Sequence, residues 1–238
     1  GFGGSITLVD RQKGGPMERP PLSKQFLLET EDKLDPIFLL KRAKWYKDND
    51  IILKLGVEAL EINIGTNLLT LSNGDGLTFD KLVLATGARP RFLPGCDNLV
   101  NAFVLRQPDD AIAIRETARK VRSAVIIGGG YIGLEVAASF RQMGLEVCVI
   151  EAAERLLARV ASPPVANSLL NLHQKHGVSI YTGVSVEELV RDQQKFTAAK
   201  LTDGSIIEGD MLVIGIGVAP DSLLAHKAGL ETEGSDGG

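Results

Sequence analysis

The chain has 238 residues, of which 44% are hydrophobic and 24% charged, and 26 are glycines, as in soluble globular proteins with many tight turns. This length allows one large domain or two modest ones. The formal net charge is −4 and no Lys/Arg cluster runs along one face, which argues against nucleic acid as a partner. The sequence has no apolar run long enough to span a membrane, so we expect a cytoplasmic protein.

The first predicted elements are a buried strand, a hairpin and a second apolar strand. Residues 6–10 are apolar and end in the carboxylate of Asp10. After Leu71, residues 73–76 carry the Asn-Gly and Asp-Gly pairs typical of a tight hairpin turn. Residues 80–90 begin with Asp, continue as an apolar strand through residues 82–84, and end with Gly and Pro.

A helix, a strand, a glycine loop and a second helix follow in the middle of the chain. Apolar residues recur at helical spacing after Pro108, and this stretch is the expected linker into a second domain. The apolar run at residues 124–127 predicts a buried parallel strand. It leads directly into Gly128-Gly129-Gly130-Tyr131-Ile132-Gly133, and a helix then extends to Gly144.

The spacing of these glycines fits a dinucleotide-binding loop. Gly128 permits a sharp turn, Gly130 lets the backbone approach a pyrophosphate, and Gly133 allows the helix to pack closely on the strand. The N-terminus of the following helix offers free N–H groups to the phosphates. A glycine loop with a purely structural role is the alternative.

The next predicted strand, residues 147–151, ends in Glu151, where a carboxylate accepts hydrogen bonds from the adenosine ribose. A 2′-phosphate would meet a like charge there, so NADH is favoured over NADPH. Arg155 and Arg159 lie close enough in sequence to oppose this preference.

No metal site or redox disulfide is indicated. Cys96 and Cys148 belong to no C-x-x-C pattern, and Cys148 is expected to be a buried, inert thiol. His173 and His176 lie three apart on the helix predicted to end near Gly177, but no third ligand suggests itself, so we expect a solvated helix face.

The last part of the chain repeats the plan of its first part. Leu201 leads through Asp203-Gly204 to residues 210–220, which share Asp, Leu, Val, Gly and Pro with residues 80–90, and residues 147–151 match residues 6–10. The sequence therefore predicts an α/β fold with two Rossmann-like units, each with a β-meander, the first incomplete. The first glycine loop would fall before Gly1, so we expect part of the natural protein to be missing at this end.

Four motifs, taken in order, resemble the FAD-dependent pyridine nucleotide reductases. They are Arg19-Pro20-Pro21-Leu22-Ser23-Lys24, Ala85-Thr86-Gly87-Ala88-Arg89-Pro90, Leu105-Arg106, and Gly128 to Gly133 with Leu134-Glu135. The resemblance is closest to the NADH-dependent ferredoxin, putidaredoxin and rubredoxin reductases that serve oxygenases and cytochromes P450. It implies a partial FAD-binding domain at residues 1–106, an NAD-binding domain at 107–230, and the start of a return segment to the FAD domain at 231–238.

The resemblance also implies the cofactor sites. The residues implied around FAD are Asp10, Arg19, Lys24, Val57, Ala85, Thr86, Gly87 and Arg106. Those implied around NAD are Gly128, Gly129, Gly130, Tyr131, Ile132, Gly133, Glu135, Glu151, Arg159 and Gly217. Lys24 and Glu135 would meet as a catalytic pair near flavin N5 and the nicotinamide, and a buried pair is reasonable because either charge alone in a dry site is costly. The residues alone also allow a solvated Lys24 and an exposed Glu135.

The implied activity is hydride transfer from NADH to FAD, followed by single-electron transfer to a ferredoxin- or rubredoxin-like acceptor. The lack of a spaced cysteine pair disfavours the disulfide-reductase branch. A flavoprotein for binding or signalling, similar to the apoptosis-inducing factors, and an NAD-binding module without activity are the alternatives. The family's first glycine loop, late Gly-Asp motif and interface domain are absent from the 238 residues, so we expect weak or no FAD retention with NAD binding intact. No oligomeric state is indicated.

Overall fold

The computed structural model describes residues 3–29 and 38–232. The strands are β1 (Ile6–Asp10), β2 (Ile51–Leu55), β3 (Ala59–Asn63), β4 (Leu68–Leu71), β5 (Gly76–Thr78), β6 (Ala88–Pro90), β7 (Ala102–Val104), β8 (Ser123–Ile127), β9 (Glu146–Glu151), β10 (Val178–Thr182), β11 (Val186–Asp192), β12 (Lys195–Leu201), β13 (Ile206–Glu208), β14 (Met211–Ile214) and β15 (Val218–Pro220). The α-helices are α1 (Gln25–Leu28), α2 (Ala43–Asp48), α3 (Pro108–Ala118), α4 (Tyr131–Gln142), α5 (Pro163–Lys175) and α6 (Leu223–Lys227), and a 3-10 helix spans Pro20–Ser23. Within these described ranges, no helix has the length and apolar character needed to cross a membrane.

The chain divides into two compact units. The first comprises Gly1–Glu18, Lys33–Arg89 and Ala219–Gly238, and the second comprises Arg19–Asp32 and Pro90–Val218. Residues 19–29 belong to the second unit because the 3-10 helix packs against α3 and α4, which lie far away in sequence. Of the predicted return segment 231–238, residues 233–238 lie outside the described part.

The second unit is built on a five-stranded parallel sheet in the order β10-β9-β8-β14-β7. In β8, residues 124–127 are all buried, as expected for a parallel strand covered on both faces. The chain runs from β8 outward to β9 and β10, and returns on the other side of β8 as β14. The carboxyl end of β8 is therefore a topological switch point, where open α/β sheets bind their ligands.

An antiparallel meander, β11-β12-β13, completes the second unit. Phe196 and Leu201 on β12 belong to the same hydrophobic core as Val125 on β8 and Leu212 on β14. Val125 and Ile127 of β8 are both members of this core, so the glycine loop starts from a packed strand.

Asn101, just before β7, connects three parts of this unit. Its side-chain amide donates to the carbonyl oxygens of Phe196 and Asp210 at 2.9 and 2.7 Å, and its side-chain oxygen accepts from Phe196 N at 2.8 Å. Asn101 is buried, so an alanine would leave these backbone groups without partners.

We expect Asn101→Ala to lower the free energy of unfolding by about 2 to 4 kcal/mol, measured by urea denaturation with both fluorescence and circular dichroism. Asn171→Ala, on an exposed position of α5, is the control and is expected to change it by less than about 0.5 kcal/mol. Equal stability of the two variants would show that the buried amide does not hold β7 to the meander.

The first unit repeats part of this plan, which confirms the predicted duplication. β1 pairs with β2 in parallel, as β9 pairs with β10, and β3-β4-β5 form an antiparallel meander, as β11-β12-β13 do. Ile62, Leu69 and Leu71 form the buried centre of this unit, and Leu224 of α6 packs on it. The fold class predicted from the sequence, two Rossmann-like units with meanders, is thus observed.

One predicted strand is not formed. Residues 82–84 have no regular structure, and Val83 is 85% exposed, whereas the corresponding residues 212–214 lie in β14. β14 is held between β8 and β7 by backbone hydrogen bonds. No described strand corresponds to β8 in the first unit, so an apolar run alone does not produce a strand there.

Candidate functional site

The loop between β8 and α4 requires glycine at two positions for different reasons. Gly128 has φ +114°, and a Cβ atom there would lie 2.3 Å from the carbonyl oxygen of Gly215. A Cβ atom on Gly133 would lie 2.0 Å from the carbonyl oxygen of Gly128. Both contacts are with backbone, which cannot move aside cheaply, so these glycines fix how closely β8, β14 and α4 approach one another.

Gly130 differs from these two, because nothing lies within 4 Å of the position that a Cβ atom would take. It is the residue before α4, whose first-turn N–H groups have no partner within the helix. The open space at Gly130 therefore faces free amides and the positive end of the helix dipole. This arrangement fits a diphosphate group.

Glu151, at the end of β9, holds the loop from the side. Gly129 N donates to Glu151 Oε2 at 2.6 Å, and Ala153 N donates to Oε1 at 2.7 Å. The carboxylate thus fixes the backbone of the loop. Each of its oxygens keeps a further acceptor position, and a ribose hydroxyl is a suitable donor for it.

A cavity of about 770 Å³ lies over this loop, entirely within the second unit. Such a volume is in the usual range for cofactor sites. The residues that line it include 128–132, 151–153, 157–160, 184–186 and 214–218. The predicted NAD residues among them are Gly128 to Ile132 of the loop, together with Glu151, Arg159 and Gly217. Tyr131 is 58% exposed.

The two arginines near Glu151 have different surroundings. Arg155 donates to the carbonyl oxygens of Ala158 and Ala161, both at 2.8 Å, and so stabilises the turn after β9. Arg159 lines the cavity, and its Nη2 is 3.6 Å from the point that a Cβ atom would occupy on Gly217. Arg159 is therefore the cation that the cavity offers to a ligand, whereas Arg155 is engaged by the backbone.

Lys24 and Glu135 meet in the second unit. Lys24 Nζ is 2.6 Å from Glu135 Oε1, and their side chains are 47% and 29% exposed. Both side chains are therefore partly exposed to solvent in this structure. Its net effect on stability should be small, since ion pairs with access to water contribute at most about 1 kcal/mol.

The residues predicted around FAD are divided between the two units. In the first unit, the carboxylate of Asp10 accepts Gln12 N at 2.9 Å, as Glu151 accepts Ala153 N in the second, and Val57 N donates to the Asp10 carbonyl oxygen at 3.1 Å. Asp10 and Glu151 thus occupy equivalent positions in the repeat.

The turn 85–87 also lies in the first unit and is held by Asp221. The Thr86 hydroxyl donates to the Asp221 carbonyl oxygen, and Asp221 N donates to the Gly87 carbonyl oxygen at 2.9 Å. In the second unit, Arg19 donates to the carbonyl oxygen of Arg106 at 2.8 Å. Arg19 and Arg106 are thereby adjacent, although they are 87 positions apart in sequence.

Neither cysteine is set up for redox chemistry. Burial raises the pKa of the Cys148 thiol to about 12 and also raises the pKa of Cys96. Thiolates are the reactive form, so a raised pKa disfavours reactivity near neutral pH. Cys148 was expected to be buried but is partly exposed, whereas Cys96 is buried. Among the described residues, no group of three or more His, Cys, Asp or Glu side chains is placed to hold a metal ion. Burial lowers the pKa of His173, which lies on α5.

Sequence reasoning missed two serines next to the ion pair. Ser23 and Ser139 are 4% and 2% exposed, and they join the Lys24 segment to α4. The signal was present, because Ser139 follows Glu135 by four residues and so shares its helix face, and Ser23 directly precedes Lys24.

The chain matches the family described as pyridine nucleotide-disulphide oxidoreductase over residues 1–238. Among solved structures, it is similar to the ferredoxin reductase for the CYP199A2 system from Rhodopseudomonas palustris, with a TM-score of 0.92 and 34% identity over 97% of this chain and 57% of that one. Putidaredoxin reductase in its covalent complex with putidaredoxin gives 0.89 and 38% over 98% of this chain and 57% of that one. A NAD-dependent persulfide reductase from A. fulgidus gives 0.87 and 28% over 96% and 44%. The chain thus spans less than two thirds of the length of each of these proteins.

Proposed function

This chain belongs to the pyridine nucleotide-disulphide oxidoreductase family, and we propose that it acts in an NADH-dependent flavoprotein reductase that passes electrons through FAD to a ferredoxin- or rubredoxin-like acceptor. The observation that carries the proposal is the open cradle at Gly130, beside the anchored carboxylate of Glu151. The similarity to a ferredoxin reductase and to a reductase bound to putidaredoxin supports this choice of acceptor.

The residues of the second unit suit the binding of NADH. The amides around Gly130 bind the diphosphate, Glu151 accepts the adenosine ribose hydroxyls, and Arg159 offsets part of the phosphate charge. Because Arg155 is engaged by backbone carbonyls, it does not favour a 2′-phosphate at this position. We therefore propose NADH as the reductant.

The residues implied for FAD also suit that cofactor. Asp10 ends β1 at the position equivalent to Glu151, so its carboxylate would accept hydrogen bonds from the ribose hydroxyls of an adenosine, and the turn 85–87 lies in the same unit. When bound, FAD accepts a hydride and releases electrons singly, which the side chains cannot do. Lys24 and Glu135 place a pair of opposite charges beside the flavin and nicotinamide rings.

The cysteines set this chain apart from relatives that work through thiols. The sequence holds only Cys96 and Cys148, and burial raises the pKa of both. We propose that the electrons leave without a protein disulfide. Robust turnover of glutathione or thioredoxin by the flavin-loaded protein would contradict this part of the proposal.

Two measurements test the function. Calorimetric titration of this chain with NADH should show saturable binding, and the absence of any binding heat or fluorescence change would overturn the proposal. With the flavin-loaded protein, adding a ferredoxin should accelerate NADH-dependent reduction of cytochrome c. Intact NADH binding without such acceleration would favour a flavoprotein used for binding or signalling.

A further inference from the structure

The Lys24–Glu135 ion pair has a third, buried member. Ser23 Oγ lies 2.5 Å from Glu135 Oε2 and 3.3 Å from the Pro20 carbonyl oxygen. A serine hydroxyl has a single hydrogen to donate, and hydrogen bonds to a carboxylate are shorter and stronger than those to a neutral carbonyl. The Ser23 hydrogen therefore points to Glu135.

The two oxygens of Glu135 are thus held by two consecutive residues. Lys24 Nζ contacts Oε1 at 2.6 Å, and Ser23 Oγ contacts Oε2. The lysine is long, flexible and 47% exposed, whereas Ser23 is 4% exposed and has a single side-chain torsion to its oxygen. Lys24 Nζ also donates to the Pro20 carbonyl oxygen at 3.3 Å, but its long side chain is partly exposed. The short, buried serine therefore fixes the direction of the carboxylate more firmly than the lysine does.

Ser139 in turn fixes Ser23. Its hydroxyl donates to the Ser23 carbonyl oxygen at 2.7 Å, and the residue is 2% exposed. Glu135 and Ser139 lie four residues apart on α4, so they face the 3-10 helix Pro20–Ser23 together. One face of α4 therefore holds both the backbone and the hydroxyl of Ser23.

We propose that Ser23 is a positioning residue, whose buried hydroxyl orients Glu135 so that its other oxygen meets Lys24, with Ser139 holding the serine in place. This inference rests on the proposed function, in which the ion pair lies where the nicotinamide and flavin are oriented. Without Ser23 the carboxylate can turn toward water, because the half-exposed ion pair alone is too weak to hold it.

The first test is structural and needs no flavin. In a crystal structure of this chain with Ser23→Ala, the distance from Lys24 Nζ to Glu135 Oε1 should exceed about 4 Å, the usual limit for an ion pair. Ser168→Ala, an exposed serine on α5, is the matched control and should leave the distance unchanged. An ion pair that stays intact in Ser23→Ala would overturn the inference.

The second test measures flavin reduction by NADH in the flavin-loaded protein, using stopped-flow absorbance. Ser23→Ala should lower the limiting rate about tenfold while changing the NADH dissociation constant by less than about twofold, since displaced groups slow the reaction more than they weaken binding. Ser23→Cys, which keeps the size and a weak donor, should give an intermediate rate and serves if the alanine variant does not fold. Equal rates for parent, Cys and Ala would refute the positioning role.

Glu135→Gln separates this inference from the function on which it rests. If Glu135→Gln leaves the limiting rate at the parent value, the proposed role of the ion pair fails, and the role of Ser23 with it. If Glu135→Gln slows the reaction and Ser23→Ala does not, only the inference about Ser23 fails.

Discussion

A chain with Gly133→Ala is expected to lose the fold of its second unit, whereas a chain with Gly130→Ala is expected to fold normally and bind NADH at least about tenfold more weakly. The two glycines are three residues apart in one loop, yet the structure gives them opposite surroundings. A Cβ atom at Gly133 would lie 2.0 Å from the Gly128 carbonyl oxygen, and one at Gly130 would meet nothing within 4 Å.

The clash at Gly133 is severe because both sides of it are backbone. The Gly128 carbonyl follows β8 directly, so relief requires α4 to move away from β8, of which residues 124–127 are buried. Overpacking costs about 1 to 3 kcal/mol when side chains can adjust. The contact at Gly133 is with a backbone oxygen, so no side-chain adjustment relieves it and the cost is higher. Loss of helical circular dichroism and of a cooperative thermal transition is the measured sign.

At Gly130 the backbone has φ −82°, which alanine adopts readily, so the added methyl group should not disturb folding. It would fill the space over the free amides of α4, where the diphosphate is proposed to lie. A tenfold loss corresponds to about 1.4 kcal/mol, readily measured by calorimetry. Gly14→Ala, in an equally open position of the first unit, should bind NADH as the parent does.

The outcome for Gly130→Ala decides the binding mode. If this variant folds and binds NADH with parental affinity, then the loop amides do not contact the diphosphate. Gly133→Ala cannot give that information by itself, because a misfolded unit loses binding for any ligand.

These glycines show why this part of the site could be read from the sequence. The strand, loop and helix are contiguous, so hydrophobic periodicity and three glycines specify their geometry locally. The duplication was readable for the same reason, since hairpin turns and apolar strands recur in the same order.

Other features depend on contacts between distant segments. Residues 82–84 have the apolar pattern of β14 but form no strand, because strand formation needs a hydrogen-bonding partner that the pattern does not reveal. Residues 19–29 join the second unit through Ser23 and Ser139 and through the buried Arg115 of α3, which donates to the Phe26 carbonyl oxygen at 3.2 Å. The sequence places Ser139 on the helix face of Glu135 and Ser23 next to Lys24, but it does not show that these two segments meet.

Glu151→Gln is expected to shift the preference between NADH and NADPH by at least about tenfold toward NADPH, measured as the ratio of the two dissociation constants. In the parent, a 2′-phosphate would approach an ionised carboxylate, and two like charges 4 Å apart repel by about 4 kcal/mol at the effective dielectric constant of a protein surface. Salt reduces this energy, so a tenfold change, about 1.4 kcal/mol, is a conservative expectation.

The substitution has a second effect, which lowers NADH affinity. Gly129 N and Ala153 N each donate to one oxygen of Glu151, but glutamine offers one oxygen and one NH₂ group. One backbone donor then faces another donor, so the loop loosens and NADH binds about threefold more weakly. NADPH gains more from the lost repulsion than it loses from the loosened loop.

Glu146→Gln, at the exposed opposite end of β9, removes the same charge from the same strand and should leave both affinities unchanged. In the parent protein, added salt should bring the dissociation constants for NADH and NADPH closer together, because screening weakens the repulsion between Glu151 and a 2′-phosphate. If Glu151→Gln preserves the parental preference, then repulsion by this carboxylate does not set the choice of coenzyme.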